Sequence, residues 1–558
     1  MTESGPAMLR RQNWLAPTRA WLGNVHRRPR MLAGLSGLIL ALAQPPFSFL
    51  PGLLGYPLLL WALEQELGPY PKRTAFFMGW LAGFFYFLVS CFWVAEAFLV
   101  DAATYGWMAP FAVMLLPAGV GLFWGAFGVI YSRFRPAGAK RFVFFACAFT
   151  TFEYLRGMAL SGFPWDPAGS TWRAGDAMSQ TAALVGVYGL GFLTVLIFAS
   201  LAVIRRGRGW RGYAPALFGA GLFLACFAFG EVRLRTTPVT FSDYTVRIVQ
   251  PDIGQAAKWD ADNFGDLFDA YVTMSKAAPA PGHKAPDLIV WPEGALPFPA
   301  EAVFSADAWT APVMADLLRQ NQSLIVGFSR RDITPQGRDV WRNSLLVLTR
   351  HQDRTVIEGA YNKFKLVPFG EFTPFESVLK PLGVEALTHF DDSFTRGART
   401  RPMSVGAIPR FLPLICYEGI FPSLDQRLYR NNGDKMRPKW IVNISNDAWF
   451  GPTSGPRQHL NLASYRAIEE GLPMIRSTPT GISVLVDPLG RVVKGSEIGM
   501  GQRGYRDVRL PEPAPVTAYE GQRNISLWLI TILGLIIAGF DTCMPWIKRN
   551  LVTKKSSR

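Results

Sequence analysis

Apolar segments long enough to cross a hydrocarbon core, which takes about 20 residues, recur through the first 231 positions, and clusters of Arg and Lys punctuate them at alternate junctions. A chain with that pattern is confined to helices that satisfy their own backbone inside lipid. Spans are expected near residues 31–47, 50–66, 75–98, 107–132, 141–160, 181–204 and 213–231, with an eighth near 525–546. Pro45, Pro46 and Pro51 crowd the junction of the first two and blur their limits. Arg10, Arg11, Arg19, Arg27, Arg28 and Arg30 precede the first span, and Lys72 and Arg73 follow the second. Arg133, Arg135, Lys140 and Arg141 follow the fourth, Arg205, Arg206, Arg208 and Arg211 the sixth, and Lys548, Arg549, Lys554, Lys555 and Arg558 the eighth. By the positive-inside rule both termini are cytoplasmic and the stretch between the seventh and eighth spans lies outside. The basic segment ahead of the first span lacks a small-residue cleavage site, so that span is expected to be retained. Composition agrees: 49% of the residues are hydrophobic and 18% charged, and the net charge of +16 falls in the loops, which points to lipid headgroups and excludes nucleic acid as the expected partner.

Between about residues 236 and 510 the pattern changes. Short β-rich runs at Tyr244-Val249, Asp287-Trp291, Ser323-Phe328, Ser344-Thr349, Phe411-Ile415, Trp440-Ile444 and Ile482-Val486 alternate with polar stretches and with a helical pattern at His459-Glu470. An α/β domain large enough for its own core is expected there. The chain thus divides into a bundle of seven spans (1–235), an extramembrane catalytic domain (236–510) and a linker, eighth span and tail (511–558).

Of five cysteines, Cys91, Cys147, Cys226 and Cys543 fall inside expected spans, where cysteine serves as a small apolar packing residue. Only Cys416 lies in the outside domain, so it has no partner there for a disulfide and is either buried in the core or used. A cysteine nucleophile needs a group to take its proton and a group to stabilise an oxyanion. The five histidines show no motif spacing, whereas carboxylates and amines end apolar runs: Leu288-Ile289-Val290-Trp291-Pro292-Glu293, and Tyr361-Asn362-Lys363-Phe364-Lys365-Leu366-Val367-Pro368-Phe369-Gly370-Glu371. A glutamate beside Trp and Pro gains basicity by desolvation. Taken singly, each of these has a plain structural reading: a solvated strand-end Glu, a surface Lys pair, a turn at Pro368 and Gly370.

The order Trp-Pro-Glu, then Tyr-Asn-Lys with Leu-Val-Pro-Phe-Gly-Glu, then Ile415-Cys416-Tyr417-Glu418 resembles the nitrilase superfamily with its Glu-Lys-Cys triad. With Asn443-Ile444-Ser445-Asn446-Asp447-Ala448-Trp449-Phe450-Gly451 and the flanking spans, the chain is similar over nearly its whole length to the apolipoprotein N-acyltransferase family. The resemblance implies an eight-span α-helical transmembrane bundle plus an α/β nitrilase-like α-β-β-α sandwich facing the periplasm of a bacterial inner membrane. It assigns Glu293 as base, Lys363 as the catalytic lysine and Cys416 as nucleophile, with Glu371 and Glu418 in support and Lys365 structural or surface-facing. It implies acyl transfer from the sn-1 position of a phospholipid, phosphatidylethanolamine by family habit, through a cysteine thioester to the α-amine of a diacylglyceryl apolipoprotein, without metal or other cofactor. A monomer among membrane lipids is expected. Trp449, Phe369, Tyr417, Phe298 and Phe375 are the expected substrate contacts, each with core packing as its plain alternative. A membrane-bound nitrilase-type amidase shares every catalytic residue and differs only in what reaches the thioester. A transporter or binding protein would instead place polar residues along a path through the spans, and few stand there beyond Glu96 and Glu153.

Overall fold

The computed structural model describes residues 28–65, 68–205, 209–282, 284–334, 336–352, 354–374, 393–422, 437–522 and 525–539. Helices occupy each expected span: α1 (Pro29–Ala43), α2 (Gly55–Glu64), α3 (Pro71–Ser90), α4 (Ala109–Phe134), α5 (Lys140–Met158), α6 (Ala182–Ala199), α7 (Ala214–Thr236) and a last helix at Ile525–Gly539. Four are long and apolar enough to cross a membrane: Pro71–Ser90, Ala102–Phe134, Met178–Val203 and Ala214–Thr236. Among the described residues, length and apolarity alone thus mark four spans where eight are expected. α1 has 15 residues and α2 has 10, cut short around the prolines at their junction. α5 has 19 residues but carries Lys140, Arg141, Glu153 and Arg156. The stretch expected at 75–98 breaks after Ser90, where Trp93 turns toward the catalytic domain and donates from Nε1 to Gln458 Oε1 at 3.1 Å.

Small residues let the helices approach closely, the usual device where lipid supplies no hydrophobic drive. A Cβ on Gly79 of α3 would lie 2.1 Å from the carbonyl oxygen of Trp124 on α4, so only glycine fits that crossing. Aromatic rings fill the rest: Trp124, Phe127, Phe145 and Phe149 meet edge-to-face.

The α/β domain contains two sheets. The first has strand order β11-β1-β2-β3-β4-β5 and the second β10-β9-β8-β7-β6. Their strands are β1 (Phe241–Gln250), β2 (Leu288–Val290), β3 (Ser323–Ile333), β4 (Asp339–His351), β5 (Arg354–Asn362), β6 (Met403–Val405), β7 (Ile408–Ile415), β8 (Trp440–Ile444), β9 (Met474–Ser477), β10 (Val484–Val486) and β11 (Gly504–Pro511). The strand period of two sorts side chains by face: Val246, Ile248 and Val290 pack inward against Phe411, Ile415 and Val442 of the other sheet. On the outer face of the first sheet, Val249, Ile289 and Leu324 meet Leu267, Phe268 and Tyr271 of α8 (Phe264–Lys276). On the outer face of the second, Leu412, Leu414 and Ile441 meet Ala463 and Ala467 of α9 (Gly455–Glu470). The result is helix, sheet, sheet, helix. β11 pairs antiparallel with β1, so the two ends of the domain lie side by side.

α9 is buried on both sides. Leu462, Tyr465 and Ile468, with Tyr417, Ile420 and Phe421 after β7, belong to the same apolar core as the helical bundle. The helical bundle and the turn after β7 thereby share one apolar core.

Candidate active site

Three strand ends converge. The chain leaves β2 through Trp291, whose ring stacks on Tyr271 at 4.5 Å and whose Nε1 donates to Ser275 Oγ at 2.9 Å. Two residues later Glu293 lies flat on β3, because a Cβ on Gly327 would come within 2.5 Å of the Glu293 Cα. Lys363 directly follows β5 and donates its backbone N–H to Asn343 O of β4 at 2.8 Å. Cys416 directly follows β7 with φ 49°, the left-handed region that a non-glycine residue enters at a cost of order 1–3 kcal/mol and mostly at functional turns. The structure thus brings Glu293, Lys363 and Cys416 into one buried locus, with the thiol in electrostatic range of both charged groups.

Around Lys363 the polar atoms close a ring. Its Nζ donates to Glu293 Oε1 at 2.9 Å and Glu371 Oε1 at 3.1 Å. The amide of Asn343 donates to the same two oxygens at 2.7 and 2.6 Å, which uses both hydrogens of one NH2 group. Glu371 Oε2 accepts from Val367 N at 2.9 Å and fixes the turn that carries it. Burial works against the Lys363 ammonium, but Glu293, Glu371 and the thiol outweigh it and hold its pKa well above the ordinary lysine value. Lys363 is therefore a permanent cation, suited to stabilise negative charge and unsuited to accept a proton. Burial, reinforced by Glu293 and opposed by Lys363, pushes the Cys416 thiol up to about 12. At neutral pH Cys416 is therefore a thiol, and for it to attack a carbonyl it would need a base beside it.

Glu418 has a different character. Its Oε1 accepts from Tyr361 Oη (2.7 Å), Phe364 N (2.7 Å) and Lys365 N (3.0 Å), and Oε2 from Ile415 N (2.8 Å). Burial raises its pKa, and both oxygens accept hydrogen bonds, three on Oε1 and one on Oε2. It ties the segment bearing Lys363 to the strand bearing Cys416.

Four polar residues that carry this locus were given no role in the sequence reading. Asn343 is one. The others are Asp447, His459 and Arg476, buried behind Cys416. Arg476 Nη2 donates to both oxygens of Asp447 at 2.6 and 2.8 Å, His459 Nδ1 lies 2.9 Å from Asp447 Oδ1, and His459 Nε2 lies 3.3 Å from the Cys416 carbonyl. Burial opposes the Asp447 charge, but Arg476 and His459 hold its pKa down at about 2. The usable signal was a lone cation inside the apolar strand Met474–Ser477, since a buried charge demands a partner. Cys416, Asp447 and His459 place three ligand-type atoms within 4.8 Å of one another. Arg476 occupies both Asp447 oxygens, so a metal ion there would face a guanidinium instead of a free carboxylate.

The remaining expected contacts separate. Tyr417 is buried, and its hydroxyl donates to Gly162 O of the loop after α5 at 2.7 Å, which braces it to the bundle. Lys365 is not on the surface: Nζ donates to Ser161 O of that same loop at 3.2 Å and lies over the Phe421 ring at 4.6 Å. Phe369 and Phe298 are exposed, the latter edge-on to Phe264 at 4.8 Å, and Trp449 is half-buried. Phe375 lies outside the described residues.

A thiol, a carboxylate and a lysine at the strand ends of a two-sheet sandwich are the layout of the carbon-nitrogen hydrolases, and residues 245–505 match the family described as "Carbon-nitrogen hydrolase". Residues 36–200 match the "Apolipoprotein N-acyltransferase N-terminal domain". The chain is 44% identical to the apolipoprotein N-acyltransferase of Caulobacter vibrioides across 91% of its own length and 94% of the relative's. It is 36% identical to that of Rhodopseudomonas palustris (88% and 90%) and 36% identical to that of Brucella melitensis (87% and 90%). The chain belongs to the apolipoprotein N-acyltransferase family.

Proposed function

We propose that the protein moves an acyl chain from the sn-1 position of a membrane phospholipid to the N-terminal amine of an S-diacylglyceryl-cysteine apolipoprotein, with Cys416 as carrier. The observation that carries this reading is the ring at Lys363: one cation shared by two carboxylates beside a protonated thiol on a strained turn. Glu293 takes the Cys416 proton as sulfur attacks the ester carbonyl, and Lys363 with the Tyr417 N–H faces the oxyanion. Collapse breaks the ester C–O bond, the proton on Glu293 passes to the departing lysophospholipid, and the thioester remains. The acceptor amine then attacks the thioester, Glu293 removes a proton from it, and the thiol is regenerated as the amide forms. Every atom is accounted for by the two lipids, so no cofactor enters. Phosphatidylethanolamine is the donor this reading favours.

The two lipid substrates fit a chain in which α1, α2, α5 and the last helix complete an eight-span bundle around the four longer helices. On this reading residues 1–235 form the bundle, 236–510 the catalytic domain and 511–558 the linker, final span and tail, with both termini cytoplasmic, the catalytic domain in the periplasm and the protein a monomer.

Full-length protein in detergent, incubated with phosphatidylethanolamine, is expected to gain the mass of one acyl chain, and Cys416→Ala to gain none. A diacylglyceryl-cysteine peptide added next is expected to become N-acylated. Release of free fatty acid with no N-acyl peptide would sink the transferase reading in favour of a hydrolase.

A further inference from the structure

The reactive turn is held from behind through one atom, the carbonyl oxygen of Cys416. His459 Nε2 approaches it at 3.3 Å and Asn443 Nδ2 at 3.4 Å. A carbonyl only accepts, so the first contact needs a proton on Nε2. The surroundings of Nδ1 provide for that in either charge state: in the neutral ring Nδ1 accepts from Arg476 Nη2 at 3.1 Å, whose second hydrogen stays with Asp447, and in the cation it donates to Asp447 Oδ1 at 2.9 Å. Only the opposite neutral tautomer would set the Nε2 lone pair against the carbonyl. The ring itself is fixed by Trp165 and Phe450, with centroids at 5.7 and 5.6 Å. Trp165 is in turn anchored from the bundle loop, donating to Gln458 Oε1 at 3.0 Å.

The Cys416–Tyr417 peptide is trans and planar, so its C=O and N–H point in opposite directions. Fixing the carbonyl on His459 and Asn443 therefore fixes where the Tyr417 N–H points. Cys416 sits at φ 49°, a conformation that relaxes unless the surroundings hold it.

We propose that His459 is a positioning residue: by donating to the Cys416 carbonyl it turns the Cys416–Tyr417 peptide so that its N–H meets the oxyanion formed when Cys416 attacks. This rests on Cys416 being the acyl carrier. Asp447, Arg476, Trp165 and Phe450 act one step further out, by orienting the ring. Oxyanion donors must be aimed before the charge develops, which is why a residue that never touches substrate changes the rate.

The test uses the full-length protein in phosphatidylethanolamine–detergent micelles and two variants of similar size. In His459→Gln the side-chain amide nitrogen reaches the position of Nε2, and in His459→Asn it reaches only that of Nδ1. Acyl-enzyme formation is followed by intact mass over a range of donor concentrations, and iodoacetamide alkylation of Cys416, which builds no oxyanion, is followed in parallel. Misaiming one oxyanion donor is expected to slow acylation in the Asn variant about 10- to 100-fold with the donor KM within about threefold, while the Gln variant stays within about fivefold of the parent. Alkylation in both is expected to stay within about threefold of the parent, because the thiol is unchanged. Equal slowing of the two variants, or alkylation falling in step with acylation, would overturn the proposal. Failure of the parent to form an acyl-enzyme is a separate result that strikes the functional reading instead.

Discussion

Two buried ionic knots, one in the bundle and one in the catalytic domain, use the same residue types to opposite ends. In α5, Arg156 grips Glu153 through two parallel hydrogen bonds (3.1 and 2.9 Å), Trp124 Nε1 adds a third at 2.8 Å, and the guanidinium also donates to the carbonyls of Phe163 and Trp165 and lies over the Phe87 ring. One positive charge meets one negative charge and both are saturated. In the catalytic knot one ammonium serves two carboxylates, and the hydrogen bonds onto Glu293 all fall on Oε1. Saturation makes a structural tie, while on the proposed reading a carboxylate with one oxygen left free beside a thiol makes a base. Glu418, a few ångströms of backbone away, confirms the rule from within the site: four donors have turned a buried carboxylate into a clasp.

The largest effect that separates the two knots is expected from Glu293→Gln. The amide keeps an oxygen for Lys363 and removes the base, so acyl-enzyme formation by intact mass is expected to fall about 10²- to 10⁴-fold with the thermal unfolding midpoint held or raised. Acylation near the parental rate would erase the distinction. Arg156→Met attacks the other knot and strands Glu153 in the bundle. Stability is expected to drop by about 3–5 kcal/mol, the cost of breaking a buried pair from one side, read as a lowered unfolding midpoint in detergent. Acylation per folded molecule is expected to stay within threefold, and a large kinetic loss in the surviving folded fraction would place Arg156 in the chemistry. Glu418→Gln comes third. The amide cannot accept on its nitrogen, so it forfeits one or two of the four hydrogen bonds for about 1–3 kcal/mol of stability. A donor KM that rises while the unfolding midpoint stays put would give Glu418 a binding role that its geometry does not offer.

The same contrast explains what the sequence disclosed. Spans, strand runs ending in Glu293, Lys363 and Cys416, and helix α9 are properties of continuous stretches, and periodicity and charge clusters report on those. β5, β6, β9 and β11 were not expected. β5 alternates poorly, with most of its residues exposed along a sheet edge, and β6 and β9 have three and four residues. The partners of the reactive groups were illegible for a different reason. Asn343 reaches Glu293 across 50 positions of sequence, and His459 reaches Cys416 across 43, with nothing local to announce either. Glu153 stood in view as one of the few polar residues inside a span, and only the structure shows it buried against Arg156. α5 falls short of a span by composition because Lys140, Arg141, Glu153 and Arg156 weaken its apolar profile, although the bundle buries the last two against each other.

The smallest effect is also the most discriminating, because it runs against the largest. Burial and the Glu293 carboxylate hold the Cys416 thiol at about 12, whereas an unperturbed cysteine sits near 8.5. In the absence of donor lipid, iodoacetamide alkylation of Cys416 is therefore expected to climb about tenfold per pH unit from pH 7 to 9.5 without levelling, where a free cysteine levels off near pH 9. Removing the carboxylate in Glu293→Gln takes away one of the three causes that raise the pKa, the others being burial and Asp447, and leaves the ammonium of Lys363, which lowers it. The thiolate fraction at pH 8 rises, and alkylation of this variant is expected to quicken several-fold while its acyl transfer collapses. A saturated carboxylate such as Glu153 has no such double role to reveal. If alkylation and acylation fell together in Glu293→Gln, the surplus charge at the catalytic knot would be structural after all, and the two knots would differ only in place.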